Sequence, residues 1–153
     1  MTIQVSTSSF KAGGTIPSKF TCSGADVSPE LSWSAPPANT KSLALIVDDP
    51  DAPAGTWNHW LLYNLPPSVH ALPENQPRSA ELPNGALQGK NDFGKFGYNG
   101  PCPPPGKPHR YFFRLYALDI KLDLKAGADR RTLDEALKGH VVAQGEVMGT
   151  FGR

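Results

Sequence analysis

A chain of 153 residues fits one domain, 1–153, and can bury a core without structural metals or a disulfide framework. Its 39% hydrophobic and 19% charged residues exclude a disordered chain and a membrane-embedded one. Fifteen Lys and Arg against 14 Asp and Glu leave a net charge of +1. No bulk field therefore draws nucleic acid, membrane contact is at most peripheral, and any anion recognition must be local.

Sixteen prolines and 15 glycines favour many turns and short strands. The opening MTIQVSTSSFKAGG has no basic start followed by an apolar stretch, so no secretory signal is read. The longest apolar run, LALIV at 43–47, is far short of a membrane span. A cytoplasmic protein is expected.

In chain order, IQVSTSSF at 3–10 alternates loosely and predicts a strand. LSWS at 31–34 is a short strand between Ser28-Pro29 and Pro36-Pro37. KSLALIVDD at 41–49 is apolar and β-branched, and Asp49-Pro50 stops it. HWLLYNL at 59–65 is a second strong strand, ended by Pro66-Pro67. Residues 67–90 carry four prolines and read as a long surface connection. GKFGYNGPCPPPGKP at 94–108 forms no regular element, because proline removes donors and glycine removes constraint. HRYFFRLYALD at 109–119 is the third strong strand. TLDEALKG at 132–139 predicts a helix with Thr132 as N-cap, Glu135 completing a capping box and Gly139 as the stop. The tail VVAQGEVMGTFGR returns to an extended pattern. Strands dominate and the one helix comes late, an order that predicts a mainly antiparallel β fold.

Two segments carry candidate chemistry: Asp49-Pro50-Asp51-Ala52-Pro53 leading to Trp57-Asn58-His59-Trp60, and Gly97–Gly106 leading to His109-Arg110-Tyr111. Each is a rigid loop feeding a strand that begins with histidine. Alternation puts Trp57 and His59 on one side, and His109 and Tyr111 on one side with Arg110 opposite. If the two strands are neighbours, one sheet end presents both histidines, Trp57, Tyr111 and the two aspartates. Imidazole and phenol groups donate to phosphate oxygens, Gly100 leaves a backbone N–H approachable, and Trp57 excludes water. An aspartate beside a histidine fixes its tautomer. The plainer alternative is that each histidine is a strand-end residue satisfied by a carbonyl.

Other chemistries fit less well. Asp49, Asp51, His59 and His109 could assemble a metal site, but DPD is also a common turn former, and no metal is expected. There is no Gly-x-Ser-x-Gly elbow and no P-loop. Proline on both sides of Cys102 denies it the helix N-terminus that activates a thiolate. Cys22 and Cys102 lie outside any CxxC pair, so structural zinc is not expected. They are read as two thiols, with a disulfide as the alternative.

DPDAP…WNHW and GxxGPxPPxGxxHRY resemble the two signature regions of the phosphatidylethanolamine-binding protein family, also called Raf kinase inhibitor-like proteins. The likeness is to the compact bacterial and archaeal branch, and extends to IPSKFTCSGADVSPELSW, KSLALIVDDPDAP and GEVMGTFGR. The resemblance implies a large central antiparallel sheet packed with a smaller sheet. It also implies a pocket for phosphate, acetate, cacodylate or phospholipid head-group analogues. Carried over, Asp49 orients a histidine, Asp51 braces the loop, and Ala52 and Pro53 line the rim. Trp57 is an apolar wall and His59 donates to the anion. Gly100 offers its N–H, Pro101 shapes the loop, His109 lines the opposite side and Tyr111 donates its hydroxyl. Arg110 points away and braces loops through an ion pair. The likeness places Cys22 and Cys102 near one another beside the pocket, and a cis peptide at Ala52–Pro53. The chain ends at Arg153, without the C-terminal helix that flanks the mouth in animal members, so a more open mouth is expected, covered by a partner or by a second subunit in a homodimer.

The function expected is binding of a phosphate-like or head-group-like anion by a regulatory protein without catalytic turnover or cofactor. Inhibition of a protein kinase or protease through surface loops, with 67–90 as the inserting loop, is the alternative. A phosphoester hydrolase using Asp49 and His59 as acid and base ranks below both.

Overall fold

The computed structural model describes residues 2–153. Its elements are β1 (Val5–Ser6), β2 (Leu31–Trp33), β3 (Ser42–Asp49), β4 (Trp57–Leu65), β5 (Ala71–Leu72), β6 (Leu87–Gln88), β7 (His109–Leu118), α1 (Arg130–Leu137) and β8 (Val141–Phe151). Five strands form the large antiparallel sheet in the order β6-β4-β3-β7-β8, and β1-β2-β5 form the small one. The fold is mainly β, with two packed sheets and one short helix among the described residues.

The large sheet is covered on both faces, which explains its least alternating sequence. All eight residues of β3 are buried. On one face Leu43, Leu45 and Val47 join Leu31, Trp33 and Leu72 of the small sheet. On the other, Ala44 and Ile46 join Leu133 and Leu137 of the helix. A strand enclosed on both sides has no polar face to display, so its apolar run is unbroken. β7 instead alternates buried and half-buried positions along most of its length.

The predicted strand at 3–10 shrinks to Val5–Ser6, because the segment divides its pairing. Ile3 donates its N–H to Gln144 O at 2.9 Å, on the edge of β8, while Val5 and Ser6 pair with β2. The same N-terminal stretch then runs on along β8, with Gly13 N donating to Met148 O and Ile16 N to Thr150 O, both at 2.7 Å. An outer strand is thereby covered. Gly145 permits the approach, since a Cβ there would stand 1.8 Å from Ile3 O.

The 67–90 segment is not a free surface connection. It contributes β5 and β6, buries Leu72, Leu82, Ala86 and Gln88, and is stapled by one amide. Gln88 donates to Pro77 O at 2.8 Å and Ser79 O at 2.7 Å, and accepts from Trp60 Nε1 at 2.7 Å. Its prolines remove donors without preventing side-chain anchoring. The helix starts at Arg130, not after Thr132. Asp129 is the N-cap, its carboxylate accepting from Thr132 N at 2.9 Å. A carboxylate suits both the unpaired N–H groups and the positive end of the helix dipole, so it captures the cap ahead of the threonine. Gly139 follows the helix with φ +78°, the left-handed stop expected of it.

Candidate functional site

β4 and β7 are not neighbours. β3 lies between them, which places its terminal Asp49 between the two histidine-bearing strand starts. The strands still deliver their leading residues to one end of the sheet, because both run antiparallel to β3.

His59 reaches this end through an irregularity. Val47 pairs with Trp60 and Asp48 with Asn58, so His59 is the extra residue of a β-bulge. A bulge breaks alternation and re-aims a side chain. Trp57 and His59 face the cavity together, as alternation predicts, and the bulge inverts the phase beyond them. Trp60 then belongs to the small-sheet core and Leu61 to the helix-side core.

The cavity measures about 180 Å³, far above the ~10–15 Å³ a single water needs. Its polar groups come from Asp49, His59, His109 and Tyr111, and its apolar walls include Pro53, Trp57, Phe93 and Pro104. His109 Nδ1–H donates to Asp49 Oδ2 at 2.7 Å. The other oxygen of Asp49 accepts from Asp51 N at 2.8 Å, closing the DPD turn. His59 Nδ1–H donates to the carbonyl of Asn99 at 2.7 Å. Both rings are thus oriented by their Nδ1 bonds and keep Nε2 free. His59 is only 3% exposed, and burial lowers its pKa, opposed by the Asn99 hydrogen bond and the Asp49 charge. Tyr111, 1% exposed, packs its ring between the two imidazoles, with centroids 5.3 Å from His59 and 6.4 Å from His109. Its hydroxyl makes no well-formed hydrogen bond among the described residues, the Asp49 carboxylate beside it offering only a weak contact. Burial and then the nearby Asp49 charge raise its pKa, so it stays a neutral hydroxyl.

Several expected roles are redistributed. Asp51 does not line the cavity. It braces the loop by accepting from Arg110 Nε and Nη2, both at 2.9 Å. Arg110 accordingly points away, and its guanidinium holds the Asp51 carboxyl at a pKa of about 2. The Gly100 N–H is not available to a ligand, because it donates to Asp26 Oδ1 at 2.8 Å. Glycine is required there by backbone crowding, since a Cβ would stand 2.0 Å from Phe20 O. Pro101 also lies behind the wall, its carbonyl accepting from Cys22 N at 3.1 Å.

No cis peptide occurs at Ala52–Pro53 or elsewhere among the described residues. Gly55 N donates to Ala52 O at 3.1 Å, so Pro53 holds the second position of a four-residue turn. An ordinary trans proline suits that position, whereas the cis form belongs at the third.

Cys22 and Cys102 are joined in a disulfide, Cα atoms 5.3 Å apart, and Cys102 lines the cavity. Two contributors escaped the sequence reading. Phe93 packs edge-on against Trp57 and His59, centroids 5.5 Å apart in each case. The Asn99 carbonyl fixes the His59 ring. Phe93, 40% exposed, is one of three aromatics in a short loop with Phe96 and Tyr98, so nothing in the sequence singles it out, and a main-chain carbonyl gives no signal. Among the described residues no three His, Cys, Asp or Glu side chains converge as metal ligands.

Comparison with known proteins gives a consistent result. The family model described as phosphatidylethanolamine-binding protein matches residues 6–152. A UPF0098 protein of Methanothermobacter thermautotrophicus is 50% identical over 151 residues, covering 99% of each chain. One from Pyrococcus horikoshii is 50% identical over 141 residues, covering 90% of this chain and 71% of its own. The crystal structure of a Chlamydia trachomatis protein described as a phosphatidylethanolamine-binding protein homologue superposes with a TM-score of 0.89 at 43% identity, over 99% of this chain and 98% of that one. That of E. coli YbcL, described as a new member of the mammalian family, gives 0.92 at 36% identity, over 100% and 99%.

Proposed function

The chain belongs to the phosphatidylethanolamine-binding protein family, and from that premise we propose that its cavity binds a small phosphate-like oxyanion, of the kind a phosphate ester or phospholipid head group carries, without turning it over. The observation that carries this reading is the Tyr111 hydroxyl, buried without a well-formed hydrogen bond beside two imidazoles that line the same cavity. A buried hydroxyl left unpaired costs about 1–3 kcal/mol, which an anion oxygen would recover. The apolar walls exclude water and strengthen each polar contact inside.

Turnover is disfavoured because no nucleophile is held by a base. No hydroxyl or thiol is hydrogen-bonded to either imidazole among the described residues, and the lining cysteine is spent in a disulfide. Calorimetric titration with phosphate and with phosphorylethanolamine tests the reading. Binding is expected in the wild type, its abolition in His59→Ala, and a loss of about fivefold or more in Tyr111→Phe, one hydrogen bond being worth ~1 kcal/mol. Equal heats in all three proteins, or none in the wild type, would refute it.

A second reading makes the protein an inhibitor of a kinase or protease, with the cavity as a modulator. The exposed apolar rim formed by Phe93, Pro53 and Pro104 favours it. Capture of such an enzyme that added phosphate releases would support it. No described helix is long and apolar enough to cross a membrane. A cytoplasmic location is our reading, against which the Cys22–Cys102 disulfide favours an oxidising compartment, and fractionation of the source cell decides between them.

A further inference from the structure

The cavity is short of donors for the ligand just proposed, and the shortage points to how that ligand binds. Both ring nitrogens that could donate without titration are committed, His59 Nδ1 to the Asn99 carbonyl and His109 Nδ1 to Asp49. The Gly100 N–H is committed to Asp26. A neutral imidazole with hydrogen on Nδ1 presents only a lone pair at Nε2. What remain among the side chains are two neutral donors, the Tyr111 hydroxyl and the Trp57 indole N–H, beside the Asp49 carboxylate, which is 3% exposed. A fully ionised oxyanion entering this arrangement would meet a lone pair and a negative charge.

Resting on the anion reading, we propose that each anion seated in the cavity arrives with a proton, held between His59 Nε2 and an anion oxygen. That proton changes the site's chemistry in two respects at once. It turns the Nε2 contact from lone-pair repulsion into a charge-assisted hydrogen bond. It also balances the anion's charge inside a water-poor cavity, where an uncompensated charge is costly. His59 is the ring for which the anion matters most. The Nδ1 partner of His109 is a carboxylate, so that ring already has a counter-charge, whereas the partner of His59 is a neutral carbonyl.

The groups facing His59 agree with this assignment. β3 supplies Asp49, β7 supplies Tyr111 and His109, and the loop before β7 supplies the Asn99 carbonyl and the apolar Phe93. Asp26 lies behind Gly100 and is already paired with Arg78 at 3.5 Å. No cationic side chain lines the cavity; Arg153, whose charge reaches Tyr111, is tied by Nε to Pro103 O at 2.6 Å behind the wall. Burial, by lowering the pKa of His59 in the empty cavity, keeps the ring neutral until the anion comes. The consequence is selectivity by protonation. An oxyanion that carries its own hydrogen, such as a singly ionised phosphate ester, brings the proton with it, whereas sulfate must draw it from solvent onto the ring.

Calorimetry of the full chain with inorganic phosphate and with inorganic sulfate, from pH 7 to 8.5 and in two buffers of different ionisation heat, measures the protons taken up. Close to one proton per sulfate is expected at pH 8, with Kd rising about tenfold per pH unit, the slope of a one-proton linkage, whereas hydrogen phosphate, which already carries a hydrogen, should bind with less uptake. Phosphate bound while sulfate is excluded would also support the proposal, placing the proton on the ligand oxygen. His59→Gln, which offers an amide donor that does not titrate, should bind with little uptake and a flat pH profile. Binding of sulfate by the wild type with no proton uptake and no pH dependence would overturn this proposal and leave the anion reading standing. Full uptake retained in His59→Gln would overturn the assignment to His59. Failure of both anions to bind would bring down the anion reading and this proposal together. The wild-type profile decides the matter even if the variant does not fold.

Discussion

Burial and one carbonyl acceptor set what the His59 ring offers a ligand. The ring sits on the extra residue of a bulge, its Nδ1–H fixed by Asn99 O, and burial depresses its pKa from 6.5. The same depression has a consequence for stability. The unfolded chain takes up a proton on this ring at a higher pH than the folded one does. The contribution is therefore fully present above pH 6.5 and is lost as pH falls below it, at no more than about 1.4 kcal/mol per pH unit for one proton. Urea unfolding between pH 7 and 5 should show a steeper decline for wild type than for His59→Gln. Parallel profiles would mean that the folded ring titrates like an exposed one.

Elements behind the cavity are held by charge rather than by the pocket itself. Adjacent aspartates at the end of β3 face opposite ways. Asp49 serves the cavity, while Asp48, also buried, binds Arg114 of β7 at 3.1 Å and Arg130 of α1 at 2.9 Å. Arg130 also donates to Asn58 Oδ1 at 2.8 Å, so one arginine links the helix to the strand that carries His59. Asp48→Ala would leave two guanidinium groups facing an apolar gap. Both are partly open to water, so the loss is expected near the low end for a broken buried pair, about 2–3 kcal/mol in urea unfolding. Because Asp48 points away from the cavity, phosphate affinity at a temperature where the variant is folded should change little. A large loss of affinity without loss of stability would show that the pair tunes the site directly.

Across the whole molecule, one covalent link ties the cavity wall to the N-terminal third. Cys22 and Cys102 close a loop of 80 residues, and such a bridge restricts the unfolded chain by ~4 kcal/mol in the loop-entropy description. Cys102-Pro103-Pro104 contribute lining. The surrounding chain is otherwise tied by Gly100 N to Asp26, Cys22 N to Pro101 O and Arg153 Nε to Pro103 O. Both cysteines are exposed, so a reductant can reach the bond. A Cys22→Ala, Cys102→Ala double variant is expected to lose several kcal/mol in urea unfolding and to bind phosphate more weakly as that wall loosens. Unchanged stability would mean that the noncovalent ties alone position the wall.

Much of this was legible in the residues. The three long strands follow from unbroken or alternating apolar runs bounded by proline. The two Pro/Gly loops feeding histidines located the site, because rigid loops before strands place side chains at a sheet end. The resemblance carried the two-sheet fold, and it had Asp51 bracing the loop and Arg110 in an ion pair, without making them partners. Other features depend on partners distant in sequence. The bulge at His59 is a two-strand mismatch, and Gly100 loses its N–H to an aspartate 74 residues away. Anchoring of 67–90 hangs on Gln88 finding Trp60, and the helix cap on a contest between Asp129 and Thr132.

The sequence by itself determined which side chains stand at the cavity end of the sheet, since local pattern and turn chemistry act over a few residues. Only the tertiary structure decided which of their atoms remain free. Hydrogen-bond capacity is consumed by whatever group folding brings alongside, and folding brought oxygen acceptors to both imidazole Nδ1–H groups and to the Gly100 N–H while leaving the hydroxyl of Tyr111 without a well-formed bond.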